Sequence, residues 1–285
     1  MKVLITGANG QLGEAFKRSY TQKHELVFLS RAVFDLNNEE QMSQVLFDSN
    51  ADALINCAAY TNVELAESEK DLAFETNAFG AERLAKACLQ HGVKLLHVST
   101  DYVFDGGSTT PYTENDQPHP INEYGRSKAQ GEQLVLSRNA QALVVRVSWL
   151  YDFEGKNFLN TMRKLAFERG RVSVVDDQIS SPVYAGVLAA DLLLILKQAL
   201  TKDISGCFHY RHEGSASWYD FAAEIFKVFE IDAILEAVDS GAFPTKAQRP
   251  KYSLLSTEKL RCTFDLSKLS WQEALKRCYE DELKP

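Results

Sequence analysis

Three glycines after the first apolar segment restrict the possible fold more than any other feature of this sequence. The segment KVLIT (2–6) runs directly into GANGQLGEAF, which places Gly7, Gly10 and Gly13 between a predicted strand and a predicted helix. Glycines at this spacing allow a tight turn, close approach of the backbone to a pyrophosphate, and close packing of helix on strand. The N-terminus of the helix then offers free N–H groups and a partial positive charge to an anion. The loop therefore predicts a βαβ unit that binds a dinucleotide.

Apolar segments alternate with helical patterns through the first half of the chain. The predicted strands are KVLIT (2–6), ELVFLS (25–30), DALINCAA (52–59), VKLLHVST (93–100) and ALVVRVSWLY (142–151). The predicted helices between them are residues 10–20, 37–48, 64–92 and 122–138. The strands are apolar along almost their whole length, as expected when helices cover both faces of a parallel sheet. This order predicts an α/β fold with a Rossmann-type doubly wound parallel sheet.

The regular alternation of strand and helix patterns ends at about Trp149. This change predicts a smaller, non-contiguous second lobe. Helical patterns cover residues 157–170, 183–200 and 215–230 and the region near 270–281, and strand-like segments cover 171–178 and 206–210. The helix at 183–200 is apolar enough to pack on the main sheet. We therefore assign residues 1–150 and about 183–203 to a dinucleotide-binding Rossmann domain. Residues of about 151–182 and 204–285 are assigned to a substrate-binding α/β lobe.

Composition excludes several classes of partner. The net charge is −8 and no dense run of lysine or arginine occurs, so neither nucleic acid nor a membrane surface is expected as a partner. No apolar run reaches the roughly 18 residues of a spanning helix, and the short first apolar run does not fit a signal peptide. The five cysteines are scattered without a C-x-x-C pair, which is typical of reduced thiols in a cytoplasmic protein. The histidines have no metal-ligand spacing apart from HYRH (209–212), where a structural role is favoured, so no metal site is predicted.

The end of the second strand indicates which dinucleotide the loop binds. An acidic residue there would hold the ribose 2′-hydroxyl of NAD. The strand instead ends in Leu29, Ser30 and Arg31. A guanidinium at this position suits a 2′-phosphate, so NADP(H) is predicted as the cofactor, with NADH still possible. The alternative is that Arg31 is only a solvated surface residue.

The stretch YGRSK (124–128) places a tyrosine and a lysine four residues apart, on one face of a predicted helix. Thr100 ends the fourth strand, where a doubly wound sheet binds its ligand. Tyr124 then protonates a carbonyl oxygen as general acid, and Thr100 donates a hydrogen bond to the same oxygen. Lys128 bonds the nicotinamide ribose, and its charge is expected to lower the pKa of Tyr124. The cofactor supplies the hydride. Seen alone, the pair is also compatible with chance neighbours on a surface helix.

Eight motifs together resemble a known family. They are TGANGQLG, NCAAYT, STDYVF, YGRSK, RVSWLY, DDQISSP, SWYDFA and QRPKYSLL, and they span nearly the whole chain. The sequence resembles the extended short-chain dehydrogenase/reductases and, more closely, the dTDP-4-dehydrorhamnose reductase family. The resemblance implies NADPH-dependent reduction of the C4 ketone of dTDP-4-dehydro-β-L-rhamnose to dTDP-L-rhamnose. It further implies a place in nucleotide-sugar and cell-surface polysaccharide biosynthesis, with Tyr124 as general acid.

The glycine loop and the resemblance together give the candidate site residues. The catalytic set is Thr100, Tyr124 and Lys128. The residues that match cofactor contacts are Gly7, Asn9, Gly10, Gln11, Leu12, Arg31, Asp35, Leu36, Cys57, Ala58, Ala59, Tyr60, Tyr124 and Lys128. The residues that match substrate contacts are Thr100, Asp101, Tyr102, Trp149 and Arg249. For the substrate set, a core aromatic (Trp149), a solvated arginine (Arg249) and a loop cap (Asp101) are the simpler alternatives. Trp218 fits a helical core stripe, for which packing is favoured.

Two other functions remain open at this point. One is an epimerase, a dehydratase or a reductase acting on another 4-keto-6-deoxy sugar nucleotide; a dehydratase of this superfamily also requires a glutamate after Asp101, and none follows it. The other is a non-catalytic, NADP-binding regulatory subunit, which the resemblance allows and the intact Thr100, Tyr124 and Lys128 disfavour. The expected partner is a small-molecule nucleotide sugar, and the chain is expected to be a monomer or a homodimer.

Overall fold

Parallel strands form the central sheet of the computed structural model, which describes residues 1–18 and 24–284. In chain order the strands are β1 (Lys2–Thr6), β2 (Glu25–Leu29), β3 (Ala53–Asn56), β4 (Lys94–Thr100), β5 (Leu143–Val147), β6 (Leu150–Tyr151), β7 (Arg171–Val175), β8 (Ile179–Ser180), β9 (Val183–Tyr184), β10 (Gly206–Tyr210), β11 (Ala216–Ser217) and β12 (Ile234–Val238). The central sheet has the order β2-β1-β3-β4-β5-β10, and every pair of neighbours is parallel. The predicted doubly wound parallel sheet is confirmed.

Helices connect the strands and cover both faces of the sheet. They are α1 (Gln11–Arg18), α2 (Glu39–Ser49), α3 (Val63–Ala66), α4 (Lys70–Phe74), α5 (Ala81–Gln90), α6 (Glu123–Arg138), α7 (Phe158–Arg169), α8 (Ala185–Lys202), α9 (Trp218–Val228), α10 (Glu258–Thr263) and α11 (Trp271–Glu282). The prediction for α1 extended to residue 20, and its last two residues lie outside the described residues. Within residues 1–18 and 24–284, no helix combines the length and apolar character needed to span a membrane.

The alternation of side chains along β1 shows how the two faces are covered. Val3 and Ile5 join one apolar core with α1 and α8, whereas Leu4 joins a second core with α2, α5 and α6. Successive strand residues point to opposite faces, so a strand that is apolar at every position needs a helix layer on each side. The predicted packing of the 183–200 helix on the sheet is confirmed, because Leu188 and Leu192 of α8 belong to the first core.

The strand order reverses beside β1, and this places a crevice at the carboxyl ends of the strands. From β1 the chain moves outward to β2, then returns to the other side of β1 as β3. Loops that leave a parallel sheet in opposite directions open a gap between them, and doubly wound folds bind their ligands there. The glycine loop after β1 and the Cys57–Tyr60 segment after β3 border this gap.

A smaller lobe packs above these strand ends. It contains α7, α9 and α11 and the pairs β7–β12, β8–β11 and β6–β9. Its apolar core centres on Tyr151, Tyr184, Phe221 and Trp271, all buried. Strand β10, which the sequence-based division placed in this lobe, instead pairs with β5 at the edge of the central sheet. That strand belongs with the first domain, while the two-domain division itself stays a prediction.

The sequence predicts one continuous helix over residues 64–92, and this prediction is wrong. The segment forms α3, α4, a π-helical turn (Glu75–Gly80) and α5. The turn brings the buried Asn77 against two distant partners: its side chain accepts from the Tyr60 amide at 2.8 Å and donates to the Ser127 hydroxyl at 2.9 Å. Such π-helical turns are frequent at functional sites.

The strand predicted for residues 142–151 is also interrupted. Strand β5 ends at Val147, and β6 pairs with β9 in a separate ribbon. Trp149 lies between them with a φ of +27°, a conformation that is uncommon for residues other than glycine. The chain therefore turns from the sheet into the second lobe at this tryptophan.

Candidate active site

One cavity of about 930 Å³ lies between the strand ends and the second lobe. Every predicted site residue except Arg249 contributes to its wall. This convergence follows from the sheet, since the carboxyl ends of β1 to β5 all open on the same side. The volume is in the range of pockets that hold large ligands.

The glycine loop leaves space that only a loop without side chains provides. Gly7 has a φ of +64°, and a Cβ on it would lie 2.8 Å from the backbone of Cys57 and Ala58. A Cβ on Gly13 would lie 2.4 Å from the Gly7 carbonyl oxygen. Helix α1 begins at Gln11, so its first amides lack partners within the helix and can donate hydrogen bonds to an anion. The loop fits the pyrophosphate of a dinucleotide.

Arg31 and Asp35 lie at the rim of the cavity beyond β2. The Arg31 side chain is 75% exposed, and its Nε lies 3.6 Å from Asp35 Oδ2. An exposed ion pair of this kind contributes little to stability, so Arg31 can leave Asp35 and bind another anion at little cost in free energy. The backbone amide of Asp35 donates to Gln41 Oε1 at 2.8 Å, and Leu36 is buried under the π-helical turn. This rim suits an adenosine ribose that carries a phosphate.

Helix α6 carries Tyr124 and Lys128 and is held close to the end of β4. Asn122 caps the helix by accepting from the Gly125 amide at 2.7 Å. A Cβ on Gly125 would lie 2.2 Å from the Tyr102 carbonyl oxygen, so a glycine is needed for this approach. Thr100 lies beside Tyr124 and lowers its pKa, and Lys128 Nζ donates to the Val98 carbonyl at 2.7 Å. The structure thus brings the three predicted catalytic residues together.

The pKa values of the pair differ from the expectation. Burial and the nearby Asp101 carboxylate raise the pKa of Tyr124 to about 12, and the neighbouring Thr100 hydroxyl offsets only part of this. The expected lowering by Lys128 is wrong for this structure. Burial lowers the pKa of Lys128 to about 8, with Glu132 acting in the opposite direction. At neutral pH Tyr124 therefore keeps its proton, as a general acid must.

Asp101 is a buried carboxylate held by three hydroxyl groups. Ser253 donates at 2.5 Å, Thr100 at 3.2 Å and Ser180 at 3.3 Å. Ser180 and Ser253 come from the second lobe and its connecting segment, so Asp101 joins that lobe to the catalytic threonine. Burial raises the pKa of Asp101 to about 6, and the three hydroxyls act against the rise.

Replacing Asp101 with Asn is expected to stabilise the protein more near pH 7 than near pH 4.5. The pKa of Asp101 rises from 3.8 to about 6 on folding, so the folded chain keeps a proton that the unfolded chain loses in this window. Wild-type stability therefore falls as pH rises through it, and the asparagine variant escapes this loss. The gap between the two unfolding free energies should widen by about 2 kcal/mol from pH 4.5 to pH 7, measured by urea unfolding. Losses of hydrogen bonds that do not depend on pH cancel in this comparison, and a constant gap would contradict the titration of Asp101.

Trp149 stacks face to face on Trp218, which the sequence assigned to packing. Their ring centroids are 3.5 Å apart with an interplanar angle of 8°, and both rings line the cavity. The Trp218 indole also donates to Gln178 Oε1 at 3.2 Å. Trp218 is the first residue of α9, where a helical stripe does not distinguish the core from a cavity wall. The sequence therefore held no signal for its position.

Arg249 lies beside the cavity and not in its wall. Its Nη2 donates to Glu64 Oε1 at 2.8 Å, and its guanidinium lies near Tyr102, whose pKa its charge lowers in part. Glu64 also accepts from the Lys246 amide at 3.0 Å, which fixes the segment before Arg249 on α3. The arginine is thus close to the substrate candidates while its charge is paired with a carboxylate.

The sequence also missed a loop that faces the glycine loop from the second lobe. Glu154, Gly155, Lys156 and Asn157 line the cavity opposite α1. Arg18, the last residue of α1, forms ion pairs with Asp152 and Glu154. These contacts cross more than 130 positions of sequence, so no local pattern predicts them.

Known proteins share this sequence and fold along their whole length. Residues 1–284 match the family model described as the RmlD substrate binding domain. A dTDP-4-dehydrorhamnose reductase from Aggregatibacter actinomycetemcomitans is 37% identical, over 96% of this chain and 97% of the relative. The crystal structure of a dTDP-4-dehydrorhamnose reductase from Bacillus anthracis, in complex with NADP, has a TM-score of 0.92 and 39% identity, covering 98% of this chain and 99% of that one. The corresponding enzyme from Clostridium acetobutylicum has a TM-score of 0.92 and 37% identity, with the same coverage.

Proposed function

Because the chain belongs to the dTDP-4-dehydrorhamnose reductase family, we propose that it reduces the C4 ketone of dTDP-4-dehydro-β-L-rhamnose to dTDP-L-rhamnose with NADPH. The observation that carries the proposal is the meeting of Thr100, Tyr124 and Lys128 in one cavity with the glycine loop. Three residues from β4 and α6, beside a loop that fits a pyrophosphate, are what a carbonyl reductase requires. A purely regulatory subunit has no need of a protonated tyrosine at this position.

The cofactor is held along the strand ends. The amides of Gln11 and Leu12 at the start of α1 would donate to the pyrophosphate, Gly10 would let it approach the backbone, and Arg31 would meet the 2′-phosphate. Lys128 bonds the ribose next to the nicotinamide. NADPH, when bound, supplies the hydride that adds to C4 of the sugar.

Tyr124 supplies the proton that completes the reduction. As the carbonyl carbon gains its hydride, negative charge develops on the C4 oxygen, and Tyr124 Oη transfers its proton to that oxygen. Its pKa of about 12 keeps the phenol protonated throughout the neutral range, so the acid form is always ready. Thr100 holds the same oxygen by a hydrogen bond and keeps it in line with Tyr124.

The second lobe positions the sugar nucleotide and excludes water. Trp149 and Trp218 offer apolar ring faces to the sugar, while Asp101 and Tyr102 line the wall next to Thr100. Arg249, held between Glu64 and Tyr102, is placed to meet the nucleotide diphosphate. A dry, apolar cover strengthens the hydrogen bonds to the developing alkoxide.

The direct test is the oxidation of NADPH in the presence of dTDP-4-dehydro-β-L-rhamnose. The nicotinamide absorbance should fall only when both compounds are present, and mass spectrometry should find a product two hydrogens heavier than the ketone. Comparing other 4-keto-6-deoxy sugar nucleotides in the same assay separates this reductase from its relatives. Binding of NADPH without turnover of any of these ketones would overturn the proposal in favour of a regulatory role.

Replacing Arg31 with Ala is expected to weaken NADPH binding about tenfold and to leave NADH binding nearly unchanged. A charge-assisted hydrogen bond to a phosphate contributes about 1.5–3 kcal/mol, and the exposed setting of Arg31 favours the lower end. The dissociation constants of both cofactors are measured from nicotinamide fluorescence. Arg171→Ala, an exposed arginine on β7, is the matched control. Equal weakening of both cofactors would contradict a 2′-phosphate contact.

We also propose a cytoplasmic location and a monomeric or homodimeric state. The described cysteines are free thiols, which suits a reducing compartment. Sedimentation of the purified chain with and without NADPH distinguishes the two oligomeric states.

A further inference from the structure

A chain of buried polar side chains leads from β1 to Lys128 beneath the cavity. The Thr6 hydroxyl donates to Asn56 Oδ1 at 2.6 Å, Asn56 Nδ2 lies 2.9 Å from His97 Nδ1, and His97 Nε2 lies 3.4 Å from Lys128 Nζ. All four residues are at most 2% exposed. The proposed reduction uses only the last member of this chain, so the other three need a separate explanation.

The hydrogen bonds fix which nitrogen of His97 carries the proton. Asn56 Oδ1 accepts from both the Thr6 hydroxyl and the Ala58 amide, at 2.6 and 3.2 Å, so that atom is the oxygen of the side-chain amide. The NH₂ group of Asn56 then points at His97 Nδ1, which must accept. Burial and the charge of Lys128 hold the pKa of His97 well below its usual range, so the ring is neutral. A neutral ring that accepts at Nδ1 carries its only proton on Nε2, facing Lys128.

An N–H group that faces an ammonium cannot form a hydrogen bond with it. The ammonium form of Lys128 has only donors, whereas the amine form has one lone pair that accepts from His97 Nε2–H. We propose that His97 is a positioning residue that sets the charge of Lys128: its Nε2–H, oriented by Thr6 and Asn56, favours the amine over the ammonium. The value of this for catalysis rests on the proposed function, in which Lys128 bonds the cofactor.

The other groups around Lys128 act in both directions. Glu132, one turn further along α6, favours the ammonium, but its carboxylate is already paired with Arg146 of β5. The partly buried thiol of Cys57, directly after β3, lies near Lys128. From β4 the Val98 carbonyl accepts from Nζ, and from α6 the phenol of Tyr124 lies one turn before it. With the pKa of Lys128 lowered to about 8, both forms are populated under cellular conditions. A group whose pKa lies close to the ambient pH gives and takes protons readily.

Nuclear magnetic resonance tests both halves of the inference in the protein without substrate. The ring ¹⁵N shifts of His97, assigned by their loss in His97→Gln, should show the proton on Nε2; a proton on Nδ1 overturns the proposal. The ¹³Cε shift of Lys128, assigned through Lys128→Arg, should titrate well below the other lysines. In His97→Gln the new side chain can turn its oxygen toward Lys128, so the midpoint should rise by about one pH unit.

A second buried histidine provides the control. His212 accepts from the Tyr184 amide at 3.2 Å in the second lobe, and His212→Gln should leave the Lys128 midpoint where it is in the wild type. If His97→Gln also leaves the midpoint unchanged, burial alone sets the charge of Lys128 and the proposal is wrong. Neither NMR measurement requires turnover. If His97→Gln shifts the Lys128 midpoint but the wild-type protein reduces no sugar nucleotide, the proposed function is refuted and this inference stands.

Discussion

Replacing Tyr124 with Phe should lower kcat by about 10²–10⁴-fold while NADPH binds almost as tightly as before. The variant keeps the ring, which contacts Tyr102 edge to face with centroids 6.0 Å apart, so the packing of α6 against the turn after β4 survives. It removes the phenol proton that lies beside Thr100. The C4 alkoxide must then take a proton from water, which reaches this buried position with difficulty. Loss of kcat with retained binding is the signature of an interaction made in the transition state.

The measurement is NADPH oxidation at saturating sugar nucleotide, with cofactor affinity taken from fluorescence. Tyr279→Phe on α11 is the matched control, because its ring packs against Phe229 away from the cavity. That variant should keep wild-type turnover. A Tyr124→Phe enzyme that retains more than about a tenth of kcat would show that another group donates the proton.

Local patterns were enough to predict the elements that build the site. The glycine loop is a steric requirement within seven residues, and the apolar strands and their helices follow from period and length. Asn38 and Asn122 cap α2 and α6 through their own side chains, so the start of each helix depends on local contacts. Because the carboxyl ends of parallel strands open on one side, positions after β1, β3 and β4 could be assigned to one cavity without knowledge of any contact.

Features that depend on distant contacts could not be predicted. The helical pattern of 64–92 continues through the π-helical turn, and what breaks it is the fit of Asn77 to Tyr60 and Ser127, 17 and 50 residues away. Trp218 has the spacing of a core residue, and only the position of Trp149 on its strained backbone shows that the pair lines a cavity. The pairing of Arg249 with Glu64 spans 185 residues.

The raised pKa of Tyr124 has the same origin. A lysine four residues on predicts a lowered value, as sequence spacing suggests, but burial depends on how the second lobe covers the strand ends. Lys128 itself is directed to the Val98 carbonyl and the His97 ring, and both partners lie on β4. Spacing predicts which groups are neighbours, whereas the charge each one carries is decided by what surrounds them both.

A second buried ionic group lies beside Lys128 and ties α6 to the sheet. Arg146 of β5 binds the Glu132 carboxylate with three hydrogen bonds of 2.6, 3.0 and 3.1 Å, and both side chains are at most 6% exposed. Ser99 donates to the same carboxylate, and the Arg146 guanidinium lies 5.1 Å from the centre of the Phe104 ring. Both members of the pair are therefore fully engaged, and both are shielded from solvent in the folded protein.

Replacing Glu132 with Ala should lower the free energy of unfolding by about 3–5 kcal/mol, since it leaves the Arg146 charge buried without a counterion. Urea unfolding followed by circular dichroism measures the loss. The control is Glu236→Ala, which breaks the half-exposed pair with Arg171 across β7 and β12 and should cost about 1 kcal/mol or less. Both variants remove one glutamate from an arginine pair, so the difference between them isolates the effect of burial. Equal costs would mean that water reaches Arg146, and that the charges around Lys128 are screened far more than their burial indicates.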